Sequence, residues 1–203
     1  ALREAENVEI ILGKIQLITG MRVEVLSNSE QRFLGYKSIA CTEADFPKII
    51  ARGTAVLDIG GGSLQISLFD KDMLITTQNI RLGNLRIRQR LRDLESSTLH
   101  YETLVEEFIR NEIISFKKIH LKDRKIENVI LLGDDIPNVL VNHVGEQRVI
   151  RKEQFMELYQ KIISHSPIEL AMMLNIPLEN ASLLLPTVII YRRFMDEFGA
   201  DTI

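Results

Sequence analysis

The chain has 203 residues, of which 45% are hydrophobic and 26% charged, and a formal charge of −3. That is enough for one globular domain or two small lobes with a proper core. The slight acidity excludes the basic field that broad nucleic-acid or membrane-surface binding needs. Cys41 is the only cysteine, so neither an intrachain disulfide nor a cysteine metal cluster can form, and a reducing, cytoplasmic setting is expected.

The apolar residues Val8, Ile11, Leu12, Ile15 and Ile18 recur at helical spacing and predict a helix over Leu2 to Ile18, stopped by Gly20. Arg22 to Leu26 reads as a short strand. Gln31 to Ile39 reads as a helix with Ser27, Asn28 or Ser29 as its N-cap. Thr42 to Gly53 reads as a loop or an interrupted helix. A β-meander then follows, with strands at Ala55 to Ile59, Leu64 to Phe69 and Met73 to Ile80, joined by short turns. Helices are expected over Asn84 to Leu94 and Tyr101 to Ile119, and one more strand over Glu127 to Leu132. A linker is expected near Asn142 to Glu146. From Arg151 onward the pattern is helical, punctuated by Pro167, Pro177 and Pro186. The most apolar run, Leu183 to Ile190, is too short to span a membrane and contains Pro186.

The sharpest local feature is Val56-Leu-Asp58-Ile-Gly60-Gly61-Gly62-Ser63. Three glycines between two strands leave the backbone free to take left-handed angles. Successive N–H groups can then converge on one anion as a nest, with no Cβ to block its approach. Asp58, at the end of the first strand, can hold Mg²⁺ directly or through water. The bland alternative is a Gly-rich hairpin, which needs only one or two glycines. Ser63 has no adjacent base, so it reads as a donor to phosphate rather than a nucleophile.

These residues resemble the second phosphate loop of the Ppx/GppA phosphatases, exopolyphosphatases and guanosine pentaphosphate phosphohydrolases of the actin/hexokinase ATPase superfamily. Ala1-Leu-Arg3-Glu-Ala5 is similar to the family's A-x-R-x-A segment, and Val23 to Gly35 to its strand, SG-x-EEA turn and helix. Ile80-Arg-Leu-Gly83 is similar to its P-L-G-A-x-R-L segment, and Ile176 to Gly199 to a late helix near R-A-D. The resemblance implies an α/β, ribonuclease H-like (actin-like ATPase) lobe: a mixed sheet led by a β-meander, flanked by helices, with a helical C-terminal part. It places residues 1–20 at the end of a first lobe and 21–203 in the second, with about a hundred residues of the family pattern ahead of Ala1. The implied partners are polyphosphate, guanosine pentaphosphate or tetraphosphate, with neither nucleic acid nor membrane; a homodimer is compatible with it. Mg²⁺ is the implied cofactor.

Residue by residue, Arg3 falls on a phosphate-holding arginine, Asp58 on the metal-ordering position, and Gly60, Gly61, Gly62 and Ser63 on the phosphate cradle. Gln31 falls on the glutamate that activates water, and Gln65 on a second glutamate. Each carries an amide where a general base needs a carboxylate. Glu30, adjacent to Gln31, is the candidate catalytic base if the turn is shifted by one residue, although on a helix a neighbour points about 100° away. The GTGGT turn reads Leu132-Gly133-Asp134-Asp135, and R-A-D reads Asn180-Ala-Ser182. Three functions therefore stand: a Mg²⁺-dependent phosphoanhydride hydrolase, an inactive relative that binds polyphosphate or (p)ppGpp as a sensor, or a regulatory or scaffold protein that keeps the fold to bind a partner protein. Among weaker signals, Arg81, Arg86, Arg88, Arg90 and Arg92 read first as a solvated face and second as a contact for a polyphosphate tail. The four histidines, His100, His120, His143 and His165, have no metal spacing.

Overall fold

The computed structural model describes residues 2–95, 101–133, 139 and 150–200, divided into two compact units, 1–46 and 47–203. The expected linker near Asn142 to Glu146, the acids Asp134 and Asp135, and His100 and His143 lie outside the described residues.

In the first unit a 3₁₀ turn, Leu2–Glu4, precedes α1 (Val8–Thr19). Gly20 ends α1 in the left-handed region, at φ 73°, and donates its N–H to the Gln16 carbonyl. Val8, Ile11, Leu12 and Ile15 are half-buried, while Ile18 is 80% exposed. α2 spans Asn28–Thr42, and Ser27 caps it. The expected strand at Arg22 to Leu26 is not paired: a strand is held by its ladder, and no ladder involves these residues among those described.

The second unit is built on a four-stranded sheet. After a short helix, α3 (Phe46–Ile50), come β1 (Thr54–Ile59), β2 (Leu64–Asp70), β3 (Met73–Ile80) and, later, β4 (Asn128–Leu132). The order is β3-β2-β1-β4; β1 runs antiparallel to β2 and parallel to β4. β2 and β3 meet at Lys71-Asp72, whose φ angles of 52° and 62° suit the primed two-residue turn that matches strand twist.

The period of two sorts these strands into two faces. Ala55, Leu57 and Ile59 share a face with Leu64, Ile66 and Leu68, and all are buried in the main core. Helices cover that face: α4 (Asn84–Glu95), α5 (Tyr101–Phe116, running into a π-helical turn, Lys117–Leu121), α6 (Lys152–Ile163), α7 (Pro167–Leu174) and α8 (Leu178–Phe198). Val105, Ile109 and Ile113 of α5, Phe155 and Leu158 of α6, and Leu184, Val188 and Phe194 of α8 fill the core. Arg192 joins three of these helices. It donates to the Tyr159 hydroxyl at 2.6 Å and to Glu106 at 3.3 Å. Pro167 opens α7 and Pro177 precedes α8, as helix-start prolines do. Pro186 instead lies inside α8, buried, where it removes one helical N–H without ending the helix.

The opposite face is polar in its last rows. Asp58 of β1 pairs across the ladders with Gln65 of β2 and Leu132 of β4, and Gln65 pairs with Asn79 of β3. One row further back stand Val56, Ser67 and Thr77, with Ser67 and Thr77 hydroxyls 3.3 Å apart.

Candidate phosphate-binding site

The loop Gly60–Ser63 joins β1 to β2, and the Gly60 N–H donates to the Ser63 carbonyl at 2.9 Å, closing the turn. None of the three glycines takes a positive φ, so left-handed freedom is not what this turn requires. Its requirement is close approach. A Cβ on Gly61 would sit 2.6 Å from Leu85 Cδ1. A Cβ on Gly83, just ahead of α4, would sit 2.2 Å from the Gly61 carbonyl oxygen. The loop and the start of α4 meet backbone to backbone.

This contact satisfies the first N–H groups of α4, which have no partner within their own helix. Asn84 N–H donates to the Gly60 carbonyl at 3.2 Å and Arg86 N–H to the Gly61 carbonyl at 3.0 Å. The Arg86 side chain adds a third bond, from Nε to the Gly62 carbonyl at 3.0 Å. The peptide bonds are trans, so each carbonyl and the next N–H point in opposite directions. With three successive carbonyls held toward α4, the N–H groups of Gly61, Gly62 and Ser63 point away from it. Those three N–H groups have no hydrogen-bond partner among the described residues, and Gly61, Gly62 and Ser63 are half-buried. Asn84 secures the helix start: its Nδ2 donates to Thr187 Oγ1 of α8 at 3.3 Å, in a buried pair.

Beside the loop, Asp58 is half-buried, and Gln65 opposite it is only 4% exposed. The Gln65 Oε1 is buried without a hydrogen-bond partner. The described structure leaves this acceptor unsatisfied, a state that normally costs about 1–3 kcal/mol. Tyr191 of α8 stands at the ends of β1 and β4. It is 1% exposed, and its hydroxyl donates to the Leu132 carbonyl over a long 3.4 Å. Burial, with the Asp58 charge as a second cause, pushes that hydroxyl well above the usual phenol range. Gly133 follows with φ 148°, and a Cβ there would lie 3.9 Å from the Tyr191 hydroxyl.

The remaining sequence-derived residues lie in the first unit. Arg3 Nη2 donates to Gln31 Oε1 at 2.6 Å, so the arginine and the amide at the family glutamate position touch. Glu30 is the third residue of α2 and completes a capping box. Its Oε2 accepts from Ser27 N–H at 2.7 Å, and its own N–H donates to Ser27 Oγ at 3.2 Å. The Ser27 backbone hydrogen bond, and then that of its side chain, hold the Glu30 carboxyl below the usual range.

Sequence reasoning did not single out Tyr191 as part of this site; it read Gly83 only within the Ile80 to Gly83 segment and Arg86 only as a member of the basic cluster. Gly83 had a signal, a glycine directly before a predicted helix. The other two are placed by contacts with residues far away in sequence.

Across residues 1–203 the sequence matches the Ppx/GppA phosphatase family. The chain belongs to that family. The Ppx/GppA fold is also the one its structure adopts. It superposes on the crystal structure of the Aquifex aeolicus Ppx/GppA family member with TM-score 0.75 and 17% identity, covering 100% of this chain and 66% of that one. An exopolyphosphatase from Cytophaga hutchinsonii gives TM-score 0.74 at 13% identity, covering 100% of this chain and 67% of the other. This Ppx/GppA chain thus spans about two thirds of the length of the solved structures it matches. No curated protein sequence matches it. The mixed sheet with flanking helices and a helical C-terminal part is the actin-like ATPase arrangement expected from the sequence. Among the described residues no single helix is long and apolar enough to cross a membrane.

Proposed function

We propose that this chain binds the phosphate chain of polyphosphate or of a guanosine penta- or tetraphosphate at the Gly60–Ser63 loop, and that it does so without efficient hydrolysis. The observation that carries the binding is the set of three adjacent N–H groups of Gly61, Gly62 and Ser63 on one side of the loop, unpartnered among the described residues. Backbone donors arranged in this way are suited to phosphate oxygens. The family's phosphoanhydride chemistry supplies the class of ligand.

The absence of efficient turnover follows from the groups at the family's base positions. Gln31 and Gln65 are amides and cannot accept a proton from water. Glu30 is committed to its helix cap. Its depressed pKa makes it a weaker base than an ordinary carboxylate.

Mg²⁺ fits the residues present. Asp58 supplies a carboxylate and Gln65 an unsatisfied buried amide oxygen on the same face, both hard donors. Among the described residues no group of three or more His, Cys, Asp or Glu could hold a metal unaided. Mg²⁺ commonly takes one or two carboxylates and fills its other positions with water and phosphate oxygens. When bound it would offset phosphate charge. Asp58 would hold it, Gln65 would contribute through Oε1, and the loop amides would orient the phosphate.

The second reading, a Mg²⁺-dependent hydrolase, is favoured by the retention of Arg3 and Asp58 at their family positions. Phosphate release from polyphosphate and from guanosine pentaphosphate by the full-length protein separates the two. Binding without release supports the sensor reading. Turnover at rates of about 1 s⁻¹ or more, ordinary for enzymes, would overturn it. Gain of release in the Gln31→Glu, Gln65→Glu double variant would show that the two amides are what silences the chemistry.

A further inference from the structure

We infer that Arg86 is the positioning residue of the phosphate loop: it fixes the direction of the loop's amides and does not act mainly as a charge on the anion. The inference rests on the phosphate-binding reading above and adds to it a residue that sets the site's geometry.

Arg86 holds the loop twice. Its N–H holds the Gly61 carbonyl and its Nε–H holds the Gly62 carbonyl, each at 3.0 Å. Each bond orients one peptide plane. Fixing the Gly61 carbonyl directs the Gly62 N–H, and fixing the Gly62 carbonyl directs the Ser63 N–H. The first bond is made by backbone and survives any substitution. The second depends on the guanidinium, because Nε donates from a defined point of a planar group. A lysine carries the same charge, but its donor is one atom further along a flexible stem. Without the Nε bond, the Gly62 carbonyl loses the hydrogen bond that orients the Gly62–Ser63 peptide.

Steric conditions reinforce this. Gly83 must lack a Cβ for the loop to come close enough to α4 for either bond. Ile87, the next residue, is fully buried, so the backbone of Arg86 is anchored in the core. The guanidinium therefore reaches the loop from a rigid base. Preorganised donors bind more tightly because the cost of ordering them is met in folding.

The test compares Arg86→Lys and Arg86→Met, which has no donor, in the protein with two readouts. The first needs no ligand: the amide resonances and the fast backbone motion of Gly61, Gly62 and Ser63. Both variants should move the Ser63 amide and increase its mobility, with melting temperatures near that of the parent. The second is the affinity for inorganic tripolyphosphate. Both variants should bind about tenfold more weakly, the loss of roughly one hydrogen bond, and Lys should rescue no better than Met. If Arg86→Lys binds like the parent while Met does not, Arg86 acts as a charge and the inference fails. If the Ser63 amide is unmoved in both variants, it also fails. Should the parent itself bind no tripolyphosphate, the functional reading falls, while the ligand-free amide readout still decides the role of Arg86.

Discussion

Gln65 is the residue whose chemistry is most constrained. A glutamate there would face Asp58 directly across the β1–β2 ladder, in a position that is 4% exposed. Two carboxylates so placed repel each other and resist desolvation, so one would stay protonated or a cation would be needed. The amide removes that conflict. Gln65→Glu is therefore expected to lower the stability of the metal-free protein at neutral pH by about 1–3 kcal/mol, with part of the loss restored by Mg²⁺. Thermal unfolding with and without MgCl₂ checks this, and an unchanged melting temperature would contradict it. Glu30 gives a second test. Its carboxyl titrates below the ordinary value in the folded chain, so the cap is intact at neutral pH. The stabilisation it gives is present above the unfolded-state pKa and is lost as pH falls through the folded value. Ser27→Ala removes the hydroxyl and keeps the backbone N–H, the larger cause, so the Glu30 pKa should rise only part of the way toward the ordinary carboxylate value, as read by NMR titration. The box was legible in the sequence as Ser27-x-x-Glu30, yet weighing Glu30 as a base hid its simpler role.

At the scale of elements, the loop–helix junction is what makes Gly60–Ser63 more than a hairpin. Two glycines there are required to different degrees. The Cβ of a Gly83→Ala variant would meet backbone, the Gly61 carbonyl, whereas that of Gly61→Ala would meet the flexible end of Leu85. Gly83→Ala should therefore cost several times more stability, on the order of 3 kcal/mol against about 1, as measured by urea unfolding. Equal costs would show that the junction relaxes. The meander, its turns and the helices after it could be read from periodicity and turn residues because those signals are local. The strand at Arg22 to Leu26 could not be judged that way, because a strand depends on partners that local sequence does not name. The roles of Gly83, Arg86 and Tyr191 were hidden for the same reason. Arg86 meets a carbonyl 24 residues away and Tyr191 one 59 residues away.

Across the whole molecule the two units differ in how much they bury. α1 contains no fully buried residue, and Ile10 and Leu17 on it are 61% and 86% exposed. In the second unit, Leu57, Ile66 and Val188 are completely buried. Amides of α1 should therefore exchange with solvent hydrogen well before those of β1, β2 and α8. Exchange followed by mass spectrometry tests this, and equal protection would contradict it. The family scaffold was legible in one run of glycines behind Asp58, because few other arrangements require so many residues without side chains.

The central claim is that the Gly61, Gly62 and Ser63 amides receive phosphate. Titration of ¹⁵N-labelled protein with inorganic tripolyphosphate, followed by amide shifts, tests it most directly. Saturable shifts centred on Gly61, Gly62 and Ser63, and reduced in Asp58→Asn when Mg²⁺ is present, are expected. Saturable shifts elsewhere with those three amides unmoved, or no shifts at all, would contradict the account.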